Sequence, residues 1–244
     1  MATTPRKQRE VRQRELHLLD VARTMLIAQG YAGLSMDRLA EATEYSKGTI
    51  YQHFSTKEDL VMALASQSME QRLSLFERAA SFRGRPRERL LGIGIADELF
   101  ARLYPHAFRS ELIIKMANLE ERASPERTDK LRTCESECTS LLRNFIKEAI
   151  AIGDLAPTVS VPQVMFALLT LVLGTHTVVA NFRPLLTETQ VTDPYSSLRE
   201  SIQVLLDGFG WKPLSTEWDY AETYRRIAQE VFADECQSAG PGSH

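Results

Sequence analysis

Apolar residues recur through most of this chain at spacings of three and four, the period of a helix with one covered face. Between residues 10 and 29, Leu16, Leu19, Ala22 and Leu26 form one such stripe, and Gly30 stops it. The segment from Ser35 to Phe54, SMDRLAEATEYSKGTIYQHF, reads as two short helices joined by a tight turn. Ser35 caps the first, whose Leu39 and Ala40 point inward; Ser46 caps the second, because a serine side chain accepts the unpaired N–H groups of a first helical turn. Thr56 then starts a helix reaching about Ala80, with Glu58 and Asp59 where the macrodipole favours negative charge.

Phe82 to Pro86 is the clearest break. Beyond it, Leu91, Ile95, Leu99 and Leu103 stripe a helix over 87–104, and Phe108, Leu112 and Met116 a shorter one over 106–120. Pro125, at the first position after Ser124, opens a long helix that runs to about Ile152 and ends at Gly153. Pro162 to Phe182 is the most apolar stretch; Gly174 to Thr177 interrupts it short of the roughly 20 apolar residues a membrane span needs, so it reads as a buried helix. A helix apolar all round must be covered on more than one side, and a second copy of the chain is an economical cover. Residues 184–194 read as a loop, 195–209 as a helix with Leu198, Ile202, Leu205 and Leu206, and 216–236 as a further amphipathic helix. Ser238 to His244 carry no periodicity. Strand-like alternation is absent, so the expected class is all-α.

The second short helix carries the chemistry. At 100° per residue, Thr49, Gln52 and His53 share one face, and Ile50, Tyr51 and Phe54 the other. An amide, a hydroxyl and an imidazole, preceded by Lys47 and the side-chain-free Gly48, suit the reading of base edges in a DNA major groove. The net charge of −3 does not announce a nucleic-acid partner, but its placement is informative: Arg6, Lys7, Arg9, Arg12 and Arg14 face only Glu10 in the first fourteen residues. Such an arm suits phosphate contact.

Other chemistries find little support. The five histidines are scattered, and no serine elbow, phosphate loop or metal pair occurs, so neither an enzyme nor a bound cofactor or metal is expected. Cys134 and Cys138 are neighbours on one helix face, but Glu135 and Glu137 disfavour their thiolates. Three cysteines do not suggest a disulfide framework, there is no apolar signal segment, and the chain reads as cytoplasmic. Phe100, Leu103, Tyr104, Phe108, Met116, Phe145 and Phe166 come from segments that would converge, and His176 with Thr177 could add polar groups to such an apolar lining.

SKGTIYQHFSTKEDL, preceded by SMDRLAEAT and followed by a long helical remainder, resembles the TetR family of one-component bacterial transcriptional regulators; the dense part of the match covers residues 15 to 64. The resemblance implies an all-α homodimer with an N-terminal three-helix DNA-binding domain and a C-terminal helical domain that binds a small effector, dimerises and releases the operator. It divides the chain into residues 1–56, 57–237 and a disordered tail at 238–244. It makes Ser35, Ser46, Lys47, Gly48, Thr49, Tyr51, Gln52, His53 and Lys57 the candidate DNA contacts, with Tyr51 and Lys57 on phosphates, and the helices over 162–182 and 195–209 the dimer interface. One departure is Glu44, where the family usually places a glycine in the turn. The expected function is a repressor that binds a palindromic double-stranded operator and is released by an apolar or aromatic effector. Two other readings stay open: a helical ligand-binding protein with vestigial DNA binding, and a thiol redox sensor built on Cys134 or Cys138.

Overall fold

The computed structural model describes residues 5–105, 107 and 119–240, and every regular element among them is helical. The chain divides into two compact units, Met1–Glu70 with His106–Cys134, and Gln71–Pro105 with Glu135–His244. Two helices, α4 and α6 below, supply residues to both.

In the first unit, α1 (Pro5–Gly33) leaves the helical path at Gly30, whose φ of 67° and ψ of −176° a residue without a Cβ adopts freely. The covered stripe is Leu18, Leu19, Ala22 and Leu26; Leu16 is exposed, because it lies 200° around the helix from Leu18. α2 (Met36–Thr43) and α3 (Lys47–His53) follow as the short pair, and α4 (Lys57–Ala80) begins after Thr56, whose Oγ1 accepts the Asp59 N–H at 3.0 Å. Leu39, Ile50, Phe54 and Leu60 are almost fully buried at the centre of this unit. Each such side chain contributes on the order of 1.5–3 kcal/mol. A 3-10 turn over Leu119–Glu121 precedes α6 (Pro125–Ala151), and the expected helix over 106–120, with Phe108, Leu112 and Met116, lies mostly outside the described residues.

The second unit is assembled around α5 (Pro86–Leu103), which is buried along nearly its whole length. α7 (Val161–Asn181), α8 (Arg183–Glu188), α9 (Pro194–Gly208), α10 (Tyr220–Glu230) and α11 (Ala233–Ala239) complete it. α9, α10 and α11 pack on α5, and α7 packs on α9. Two expectations change. The segment over 184–194 opens with α8, since Pro184 falls in a first turn where its missing N–H is harmless. The helix expected over 216–236 is two helices: Phe232 leaves helical geometry at φ −127°, is fully buried, and the Val231 carbonyl just before it accepts from the Arg78 guanidinium.

α7 meets the length and composition of a membrane span, yet within the second unit it carries a buried histidine hydrogen-bonded to a carboxylate, described below. It is not covered all round by its own chain. Phe166 is 74% exposed and Leu173 46%, and Val204 on α9 is 73% exposed.

Candidate nucleic-acid interface and effector unit

The turn between α2 and α3 is fixed by its caps. Ser35 Oγ accepts the Arg38 N–H at 3.2 Å; Ser46 Oγ accepts the Thr49 N–H at 3.1 Å and lies 2.8 Å from the Thr49 hydroxyl. Glu44 closes α2 in the left-handed region, at φ 57° and ψ 20°, with its N–H on the Glu41 carbonyl. The turn therefore keeps the shape a glycine would allow, and Glu44 carries a strain of roughly 1–2 kcal/mol.

On α3 the outward side is Lys47, Gly48, Tyr51 and Gln52; Thr49 and His53 are half-buried, and Ile50 points inward. This corrects the expected faces. Tyr51 stands 100° from Ile50 and is half exposed, while Phe54 is buried from an extended backbone (φ −137°, ψ 113°) and so says nothing about the side on which Tyr51 falls. Burial lowers the pKa of His53. Lys47 Nζ lies 2.9 Å from Asp37 Oδ2, a hydrogen bond that raises the lysine's pKa.

Lys57 is turned inward: its ammonium donates to the Tyr31 carbonyl and sits 3.8 Å from the Tyr31 ring centroid, and burial lowers its pKa. The Tyr31 hydroxyl donates to Glu58 Oε1 at 2.6 Å; burial, then that carboxylate, push the phenol up to about 12. The basic arm is helical, forming the first turns of α1, with Arg6, Lys7, Arg9 and Arg12 exposed and Arg14 stacked 5.7 Å from the Tyr45 ring centroid.

Behind α3 lies a group that the sequence did not reveal. Arg127, in the first turn of α6, donates to Glu15 Oε1 at 3.0 Å and to the His53 carbonyl at 3.3 Å, and its guanidinium lies 5.2 Å from the Phe54 ring centroid. No local spacing could have announced it, since its partners stand 112 and 74 residues away.

The candidate effector residues fall into different settings. Phe100 is buried, 5.5 Å from the Tyr104 ring; Leu103 is half-buried and Tyr104 exposed. Phe145 is buried with Arg89 over its ring, whereas Phe166 points outward from α7. Phe108 and Met116 lie outside the described residues.

His176 is committed to a buried polar network that also escaped the sequence reading. Its Nε2 is 2.6 Å from Asp97 Oδ2 and its Nδ1 is 3.4 Å from the Tyr195 hydroxyl, while Arg72 Nε donates to Asp97 Oδ1 at 2.7 Å. Burial pushes the Asp97 carboxyl up, but the Arg72 guanidinium and the His176 imidazole outweigh it and hold the group well below the usual carboxylate range. Tyr195 is pushed up to about 12, mainly by burial and then by the Asp97 charge. Glu98 beside it pairs with Arg102 at 2.9 Å and with Arg199 of α9. Thr177, expected to act with His176, instead donates to the Leu173 carbonyl at 2.7 Å. Cys134 and Cys138 are both buried. Among the described residues no cluster of three or more His, Cys, Asp or Glu could hold a metal ion.

Comparison with known proteins bears directly on this arrangement. Residues 18–64, which span the second half of α1, the capped turn, α3 and the start of α4, match the family described as "Bacterial regulatory proteins, tetR family". The HTH-type transcriptional regulator UidR of Escherichia coli K12 is 25% identical over 170 residues, covering 68% of this chain and 82% of the relative. The chain belongs to the TetR family. Over 50 residues it is 44% identical to the HTH-type transcriptional repressor AcnR of Corynebacterium glutamicum, a match covering 20% of this chain and 27% of that protein. The fold is similar to that of the transcriptional regulator FadR from Bacillus subtilis, solved in complex with stearoyl-CoA: TM-score 0.59, 18% identity, covering 78% of this chain and 96% of the other. As a TetR-family protein it is a helix-turn-helix DNA-binding transcription regulator. In that light α2 and α3 are its helix-turn-helix.

Proposed function

We propose that this TetR-family regulator is a repressor that binds a palindromic operator as a homodimer and is released by a small apolar effector. The observation that carries the reading is α3: a serine-capped helix held by Ile50 and presenting Lys47, Gly48, Tyr51 and Gln52 to solvent. Two such helices on a two-fold axis enter successive major grooves about 34 Å apart. Gln52 reads bases; Lys47 and Tyr51 meet phosphates or groove edges; Ser35, Ser46, Thr49 and His53 hold the pair of helices in position or lie at its margin. Lys57 meets a phosphate on exchanging the bond of its ammonium to the Tyr31 carbonyl for one to the duplex.

Three further observations support the finer parts of the reading. The exposed apolar side of α7 and α9, with Phe166, Leu173 and Val204, suits a second copy. Phe100 and Tyr104, with ring centroids 5.5 Å apart, and the neighbouring Leu103 offer apolar and aromatic surface for an effector, and the FadR structure holds stearoyl-CoA, whose acyl chain is apolar. AcnR, described as a repressor, is similar in the helix-turn-helix stretch. Such a regulator works where its operator is, in the cytoplasm.

The test is selection of bound duplexes from a random DNA pool at two salt concentrations. Enrichment of a two-fold symmetric site supports the reading; weak, sequence-blind binding at both salts sinks it. Release of the enriched duplex by long-chain acyl-CoA, set against free fatty acid and coenzyme A alone, then tests the effector class.

A further inference from the structure

We propose that Arg127 is a positioning residue that sets the pose of the reading helix from behind, without touching DNA. The inference rests on the DNA-binding reading given above. α3 has only seven residues, and at its end the Phe54 N–H bonds to the Ile50 carbonyl, so the His53 carbonyl finds no partner within the helix. Arg127 supplies that partner, at 3.3 Å. The same guanidinium holds Glu15 of α1 at 3.0 Å and covers the Phe54 ring. One guanidinium, donating both hydrogen bonds through Nη2 and standing over the Phe54 ring, thus touches α1, the last carbonyl of α3 and the residue that closes it.

The base of this side chain is fixed in turn. The Ser124 N–H donates to Asp59 Oδ1 of α4 at 2.6 Å, and Lys130 Nζ lies 2.8 Å from Glu70 Oε1 on the same helix. Arg127 is therefore mounted on an anchored first turn, with its side chain only 21% exposed. That burial, and its engagement with a carboxylate and a carbonyl, set it apart from the outward cations of the reading face. The helix that carries it also supplies residues to the second unit, where Glu148 pairs with Arg89 of α5. A rearrangement of α6 that changed the Arg127 contacts would alter α3 in the same step.

The experiment uses the full chain and the duplex that the wild type selects, titrated at several salt concentrations, with thermal midpoints measured in parallel. Arg127→Gln is expected to weaken binding about tenfold, as for loss of a charged hydrogen-bonding group. The slope of log affinity against log salt should stay unchanged, because no phosphate contact is lost. Backbone amides of 50–54 should exchange faster, with those of α2 unaffected. Arg127→Lys, which keeps the charge but not the guanidinium that covers Phe54, should recover only part of the loss.

A salt slope reduced by about one would make Arg127 a phosphate contact and overturn the proposal. Unchanged affinity with a lowered melting temperature would overturn it too, by making the residue purely structural. Should Arg127→Gln melt below the assay temperature, Glu15→Gln removes the carboxylate that holds the guanidinium in place, and a smaller loss at constant slope is then the expected result; no loss overturns. A wild type that selects no duplex removes the DNA-binding reading together with this one, which is distinct from a wild type and an Arg127→Gln variant that bind the selected duplex equally.

Discussion

Glu44 and Asp97 each sit where a different residue would be easier to accommodate. Glu44 occupies left-handed backbone without the freedom of glycine. Glu44→Gly is expected to relieve that strain, partly offset by the greater entropy of an unfolded glycine, for a net gain of about 0.5–1 kcal/mol. Differential scanning calorimetry should show the midpoint rising by a few degrees; a fall would mean the strain is not there. Asp97 is a buried carboxylate held ionised by Arg72 and His176. Asp97→Asn leaves two buried partners without their anion and should cost about 3–5 kcal/mol in a denaturant titration. Because the folded-state pKa of Asp97 is depressed, its contribution is complete above the ordinary carboxylate value near 4 and is lost as pH falls below that toward its own lowered value. Acid unfolding of the wild type should steepen there, and the Asn variant should lack that component. The cap serines and Gly30 were legible in the sequence because their chemistry is local. Asp97 was not, since its partners come from α4 and α7, 25 and 79 residues away.

At the level of the element, helix positions followed from stripe, cap and glycine, and most boundaries fell within a few residues of those signals. What failed was the orientation of a short helix. Seven residues give one inward anchor, Ile50, and the assignment of Tyr51 to the covered side relied on Phe54, which has already left the helix. The breaks that were missed have the same origin: Phe232 turns inward because the second unit has room for it, which no local pattern encodes. With the observed face, Gln52→Ala is expected to change which sequences a random-pool selection enriches, each lost base contact being worth about 1–3 kcal/mol of discrimination. Lys57→Ala should instead weaken all duplexes alike and flatten the salt dependence. An identical enriched motif after Gln52→Ala would move base reading to Lys47 and Tyr51.

For the molecule as a whole, the sequence indicated two functional parts but not that residues 106–134 would group with the N-terminal one, since such grouping depends on contacts between segments far apart in the chain. The apolar run over 162–182 was legible as a helix needing cover, and the structure leaves Phe166, Leu173 and Val204 outward. Under the proposed pairing, Val204→Glu, which charges the face without emptying a core, should shift sedimentation from dimer to monomer while far-ultraviolet circular dichroism keeps its helical form. A dimer that persists in this variant would place the interface elsewhere. Under that pairing, assembly through the same open face would be a collision between two chains, although each helix-turn-helix is completed by one. Reading heads would thus be ready before they are coupled, and operator occupancy would rise more steeply than in proportion to synthesis: halving the amount of chain would more than halve the amount of paired repressor, giving the promoter a threshold set by the surface of α7.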